Sequence, residues 1–273
     1  MGECAHVTYN ASGPPNDEGI IACAKGYDPE VIFYIGSNSG IGIPTTETLK
    51  KLRDYAPCIH YQSDVEDEAW FDLLRQYRSE GCFDLIVSQT GVKTDLIDMA
   101  SLMAVDIDSF NGPAHKNIQC GFSGSALDTS EYKPGISDWD GRAEILYGLG
   151  DKLAFRKRAP VGNYANYVDF LKHCLITLNV SLTGSGKRHH VKWRVLEAAF
   201  ADCVLLEMKD SPTSQWFPRG SYLTYKTAAE ARRIIMNMRV PEATAIAAKF
   251  ASYARQHYTP RQIFNNILER LPK

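Results

Sequence analysis

Apolar positions along this chain fall in short blocks, and between the blocks they recur at helical spacing. Val31–Ile35 (VIFYI) is an unbroken apolar run that ends in the loop Gly36–Pro44. Thr45–Asp54 then carries leucines at 49 and 52 behind Thr45 or Thr46 as N-cap, the pattern of a helix start. Ile59–Gln62 predicts a second strand, and Glu68–Arg78 a helix with Trp70, Leu73, Leu74 and Tyr77 on one face. Asp84–Ser88 (DLIVS) predicts a third strand. Further along, Ile118–Phe122, Lys152–Phe155, Leu175–Val180 and Val204–Leu206 read as strands, with helices over Gly141–Tyr147, Tyr164–His173 and Val191–Ala201. The tail predicts three helices: Ala228–Met238, Pro241–Tyr258 and Pro260–Leu271. In the last, Thr259 caps, Pro260 takes the first helical position, and Ile263, Phe264, Ile267, Leu268 and Leu271 form one stripe. Short apolar runs alternating with helices predict an α/β fold whose parallel sheets are covered on both faces.

The polar stretch Asp106–Lys116, with Gly112-Pro113 inside it, separates two such series. The expected organisation is therefore two Rossmann-like βα domains, residues 1–112 and 113–258, with a closing helix over 259–273 that returns toward the first. Ligands of open α/β sheets sit beyond the carboxyl ends of the strands, so two such edges facing one another would form a cleft. The 273 residues suffice for two modest domains at roughly 100–200 residues each. A hydrophobic share of 44% excludes a disordered chain, and a net charge of −2 gives no reason to expect nucleic acid as partner. No apolar run approaches the ~18–20 residues of a membrane span. The opening MGECAHVTYN lacks a signal pattern, and His6 stands where a myristoylation site needs Ser or Thr. Seven cysteines, odd in number and without a CxxC pair, predict free thiols in a reducing, cytoplasmic setting.

Leu175–Glu207 (LITLNVSLTGSGKRHHVKWRVLEAAFADCVLLE) concentrates the chemistry. A strand, a glycine-rich basic turn, a helix holding a carboxylate and another strand follow in order. Lys187 and Arg188 with flexible backbone N–H groups suit a diphosphate. Arg194 and Glu197, three apart, share a helix face. There a carboxylate can accept both hydroxyls of a ribose while the cations hold phosphate. The residues alone favour an exposed charged hairpin with Arg194–Glu197 as an i,i+3 surface pair.

RVLEAAFADCVLLE, then WFPRGSYLTYKTAAEARRIIMNM, then YARQHYTPRQIFNNILERL resemble in order and spacing the C-terminal domain of GT-B glycosyltransferases of the group 1 type. IQCGFSGS, GRAEIL and NYANYVDFLKHCLITLN are similar to the opening of that domain, so the likeness covers roughly Asn117–Leu271. The resemblance implies metal-independent transfer of a sugar from a nucleoside-diphosphate sugar to an acceptor hydroxyl on a glycan, lipid or protein, with no cofactor. It assigns Glu197 to the ribose. Arg194, Lys187 and Arg188 fall to the pyrophosphate, with Gly124, Ser125 and Arg142 in the loop that approaches it. Two positions depart from the pattern. His189 stands where retaining members often carry a second Glu, and Asp202-Cys203 replaces the usual Gly before the next strand. The first half is also short for this fold. These departures keep open a non-catalytic nucleotide-sugar- or anion-binding protein, and a homo-oligomer that completes the first domain.

Other motifs carry less. Ser181–Arg188 fails the Walker A spacing and lacks its Ser/Thr after Lys187. The triplets Asp106-Ile107-Asp108 and Asp138-Trp139-Asp140 could chelate a divalent ion, but both lie in polar loops. Asp64, just after a strand, is either a catalytic base for an inverting reaction or a helix cap. His60 reads as packing, and so do Trp193, Trp216, Tyr164 and Tyr167, although an aromatic lining a sugar site would also fit.

Overall fold

The computed structural model describes residues 4–8, 10, 12–36, 39–112, 115–124, 141–157, 164–183 and 186–272. The chain divides into two compact units, Met1–Ser101 with Asn265–Lys273, and Leu102–Phe264.

The first unit is built on a parallel sheet in the order β1 (Ile32–Tyr34), β2 (Cys58–Gln62), β3 (Leu85–Ser88), β4 (Met99–Ala100). All positions of β2 and β3 are buried, the polar His60, Gln62 and Ser88 included, as expected of strands in a sheet covered on both faces. Helices α1 (Asp17–Tyr27), α2 (Thr46–Leu52) and α3 (Phe71–Ser79) accompany it. The Thr45 hydroxyl accepts from the Thr48 N–H at 3.2 Å, which fixes Thr45 as the cap of α2. In this unit the pattern does not show two elements, α1 and β4. The first mixes small and polar residues around Ile20 and Ile21, and the second is too short to show a period.

In the second unit five parallel strands take the order β6 (Ala154–Lys157), β5 (Ile118–Gly124), β7 (Cys174–Leu178), β8 (Val204–Met208), β9 (Leu223–Tyr225). Its helices are α4 (Gly141–Leu149), α5 (Tyr164–His173), α6 (Arg194–Phe200), α7 (Ala228–Asn237) and α8 (Val240–His257). The core between sheet and helices includes Phe122, Ile176, Leu178, Leu206, Tyr225 and Ile235. Placing β5 and β7 side by side, with β8 next, brings the carboxyl ends of these three strands together. Helix α9 (Pro260–Leu268) opens on a reciprocal cap, in which Thr259 Oγ1 accepts from the Gln262 N–H and Gln262 Oε1 accepts from the Thr259 N–H.

The Asp202 departure has a backbone cause. Asp202 has φ 51°, the left-handed region that favours glycine and that Asp tolerates better than most residues. Its carboxylate accepts from Arg255 Nη1 at 3.3 Å. Among the described residues no helix is long and apolar enough to cross a membrane. All seven cysteines are free thiols.

Candidate functional site

The site grows from the polar residue that ends each apolar run. Gly124 closes β5, Asn179 follows β7 directly, Glu207 sits one residue before the end of β8, and Arg194 and Glu197 lie in the first turn of α6. Since the strands are parallel and in register, all of these fall at the carboxyl edge of one sheet.

Glu197 is buried, with 5% of its surface exposed, despite carrying a carboxylate. Tyr164 donates to Oε1 at 3.3 Å and Tyr167 to Oε2 at 2.5 Å. Burial raises its pKa, while Tyr167, Arg194 and Tyr164 pull the other way. The two tyrosines are therefore not packing alone, as their spacing suggested; they satisfy a buried acid. Tyr167 is further held by Arg156, whose guanidinium lies 5.9 Å from the ring centroid.

Arg194 lies over the Phe122 ring at 4.7 Å and donates from Nη1 to Asn179 Oδ1 at 3.2 Å. Its Nε is buried without a hydrogen-bond partner among the described residues. Gly124 makes this approach possible: a Cβ there would stand 3.2 Å from Arg194 Nη2 and 3.3 Å from the Phe122 ring. The reading of Arg194 and Glu197 as an exposed surface pair does not survive this geometry.

Behind Arg194 lies a buried polar chain. Asn179 Nδ2 donates to Glu207 Oε2 at 2.8 Å, Thr213 Oγ1 donates to the same oxygen at 3.0 Å, and the Met208 N–H donates to Oε1 at 2.9 Å. Burial pushes the Glu207 pKa up to about 7 against these bonds. Asn179, Glu207 and Arg156 escaped the sequence reading. The available signal was a polar residue closing an apolar run, as in LITLN and VLLE.

The basic turn folds as a hairpin, with Leu182 bridged antiparallel to His189 and the Thr183 N–H donating to the Arg188 carbonyl. Lys187 and Arg188 stand exposed on it. At its base the His189 ring pairs with the Ser181 hydroxyl at 2.7 Å, and burial lowers the His189 pKa. Arg142 Nη2 donates to the Leu182 carbonyl at 3.4 Å. The structure thus groups Glu197, Arg194 and Gly124, and separately places Arg142 on the Leu182 carbonyl, across the hairpin bridge from His189. Ser125 and the Asp138–Asp140 triplet lie outside the described residues. Asp106 and Asp108 instead fold a local turn, where Asp106 accepts from the Asp108 N–H and the Ser109 hydroxyl. Among the described residues no group of His, Cys, Asp and Glu is gathered that could hold a metal ion.

In the first unit Asp64 occupies a left-handed turn, φ 55°, just beyond β2, and is partly exposed. The N-cap position of the following helical turn belongs to Asp67. Glu66 is buried and accepts from the Thr90 hydroxyl beyond β3.

A family model described as glycosyl transferase-like matches residues 115–269, more than half of the chain and the region that holds this site. Among curated protein sequences none matches. Of solved structures, HepE from Anabaena in complex with UDP and glucose is similar at 12% identity and a TM-score of 0.58, over 92% of this chain and 80% of that one. A glycosyltransferase from Rickettsia africae aligns at 10% identity and a TM-score of 0.56, over 97% of this chain and 83% of that one. The apo structure of OtsA gives 11%, 0.56, 93% and 76%.

Proposed function

This chain belongs to the glycosyl transferase-like family, and from that premise we propose that it transfers a sugar from a nucleoside-diphosphate sugar to an acceptor hydroxyl without a metal ion. The observation that carries the reading is a buried carboxylate, Glu197, one helical turn from an arginine whose Nε lacks a partner among the described residues. A carboxylate offers about four lone-pair sites. Two tyrosine hydroxyls use part of that capacity and leave room for the vicinal hydroxyls of a ribose. Arg194, a guanidinium with several N–H donors, has donors to spend on a diphosphate oxygen. UDP-sugar complexes among proteins of similar fold support the donor class.

Catalysis then comes from positioning the donor and from stabilising charge on the departing diphosphate. Arg194 serves that charge first. Arg142, Lys187, Arg188 and His189, with the backbone at Gly124 and Ser125, are the further donor candidates. For an inverting reaction Asp64 of the first unit is the base. Glu197→Ala should weaken donor binding by about a hundredfold, since a charge-assisted pair of hydrogen bonds is lost. A thermal-shift panel of UDP-, GDP-, ADP- and dTDP-sugars followed by a transfer assay checks it. Undiminished binding by Glu197→Ala would remove the proposed donor site, and binding without transfer would favour the non-catalytic alternative.

A further inference from the structure

Glu207 is fully buried, and the Asn179 amide, the Met208 N–H and the Thr213 hydroxyl all donate to its carboxylate. Asn179 has no backbone freedom to respond. Its N–H donates to the Leu206 carbonyl at 2.8 Å, and its own carbonyl accepts from the Tyr225 hydroxyl at 2.8 Å. What is left is the direction of its side-chain amide. An ionised carboxylate accepts only, so it compels the amide to present NH2 to Glu207 and oxygen to the opposite side. On that opposite side stands Arg194 Nη1, 3.2 Å from Oδ1.

We infer that Glu207 is a positioning residue for donor binding, acting through Asn179 to hold the Arg194 guanidinium in its diphosphate-facing pose. The inference rests on the donor reading of Arg194 and Glu197. It adds a condition to that reading: the amide points correctly only while Glu207 is ionised. A protonated Glu207 can donate to the Asn179 oxygen, and the amide then turns its NH2 toward a cation. Burial brings the Glu207 pKa to about 7, within reach of ordinary conditions. The titratable and charged groups on the elements packed against Glu207 are Tyr222 and Tyr225 at β9, both held protonated by raised pKa values, and, on α6, the buried Glu197 and, through Asn179, Arg194. Helix α8, packed against β8, buries apolar residues there: Ala243, Ala247, Phe250, Ala251 and Ala254.

The test measures the dissociation constant of the glucose nucleotide (UDP-, GDP-, ADP- or dTDP-) that stabilises the wild-type chain most. Its diphosphate diester does not titrate near neutrality. Wild-type binding should weaken about tenfold from about pH 8 to about pH 6. Glu207→Gln should bind about tenfold more weakly at about pH 8 and show no such slope. The double variant Asn179→Asp with Glu207→Gln should restore binding to within about threefold. In it the carboxylate introduced at position 179 accepts both from the amide introduced at position 207 and from Arg194. A role limited to packing predicts no rescue. Circular dichroism melts establish that each variant is folded. If Glu207→Gln does not fold, the wild-type slope decides, and a flat slope overturns the inference. Loss of binding in Glu197→Ala with unchanged affinity and slope in Glu207→Gln overturns it alone. Wild-type affinity in both Glu197→Ala and Arg194→Ala removes the donor reading beneath it.

Discussion

The first sheet buries a histidine completely and the second a glutamate, and the two do it in opposite ways. His60 sits at the middle of β2, enclosed by Phe83 stacked at 4.9 Å, Tyr34 at 5.4 Å, Tyr77 at 5.5 Å and Trp70 at 6.2 Å between ring centroids. Neither ring nitrogen meets a hydrogen-bond partner among the described residues, and burial holds the pKa down at about 3 despite a weaker upward pull from Gln62. Glu207 sits near the carboxyl end of β8 and is ringed by donors instead. A group in mid-strand has only side chains for company, so it is buried by being neutral. At a strand end, loop backbone and the polar residues of neighbouring turns can supply hydrogen bonds, so the ionised form stays within reach near neutral pH even though burial raises the pKa to about 7. That difference separates a core histidine from a site acid, although both read as lone polar residues in apolar runs.

The two groups should move stability in opposite directions with pH, which gives the comparison its sharpest tests. The folded-state pKa of His60 lies below its ordinary 6.5, so the unfolded chain takes up the proton first. Its contribution is complete above about pH 6.5 and is lost as pH falls toward about 3, on the order of 5 kcal/mol in all. His60→Phe should flatten that acid limb in denaturant titrations run at stepped pH. An unchanged limb would mean that carboxylates alone cause it. Glu207 is the reverse case. Its folded pKa is above the ordinary 4.5, so its contribution is present at acid pH and is lost as pH rises through about 7, roughly 3 kcal/mol. Glu207→Gln should remove this neutral-range slope while leaving the His60 limb untouched.

Arg194→Ala ranks next. It strips the cation from the Phe122 ring and from Asn179 Oδ1, which should cost only about 1 kcal/mol of stability. Under the proposed donor site, affinity should fall about 30–100-fold, because the proposed charge-assisted contact to diphosphate is lost. The same change in a thermal melt without ligand and in a titration with donor separates the two effects. Equal small losses in both would make Arg194 a packing residue like His60.

How far the sequence foretold this follows from what each signal encodes. Apolar runs and helical stripes record burial directly, so β2, β3, β5, β7, β8 and most helices were legible to within a few residues. The pair Arg194 and Glu197 was legible because both lie on one short helix. Glu207 and Asn179 were not, since their partnership joins two strands 28 residues apart and depends on sheet order. Tyr164 and Tyr167 were read as packing because an aromatic at helical spacing announces its ring, while its hydroxyl partner comes from another element. The glycine-rich basic turn drew attention by composition, yet it folds as a hairpin with Lys187 and Arg188 exposed.

The smallest expected effect probes the tightest packing in the site. Gly124→Ala places a methyl 3.2 Å from Arg194 Nη2 and 3.3 Å from the Phe122 ring, closer than relaxed contacts allow. Of the two neighbours the guanidinium is the freer to yield, because the Phe122 ring is buried in the core of the second unit. A shift of a few tenths of an ångström would lengthen its bond to Asn179 and misaim it toward the diphosphate. The cost should be about 1 kcal/mol, or roughly fivefold in donor affinity. If the methyl acts through Arg194, the loss disappears when Gly124→Ala is introduced into Arg194→Ala, a coupling that a double-mutant cycle reads directly. An undiminished loss in that background would mean the methyl meets the donor itself, and the glycine would then belong to the ligand's path rather than to the arginine's seat.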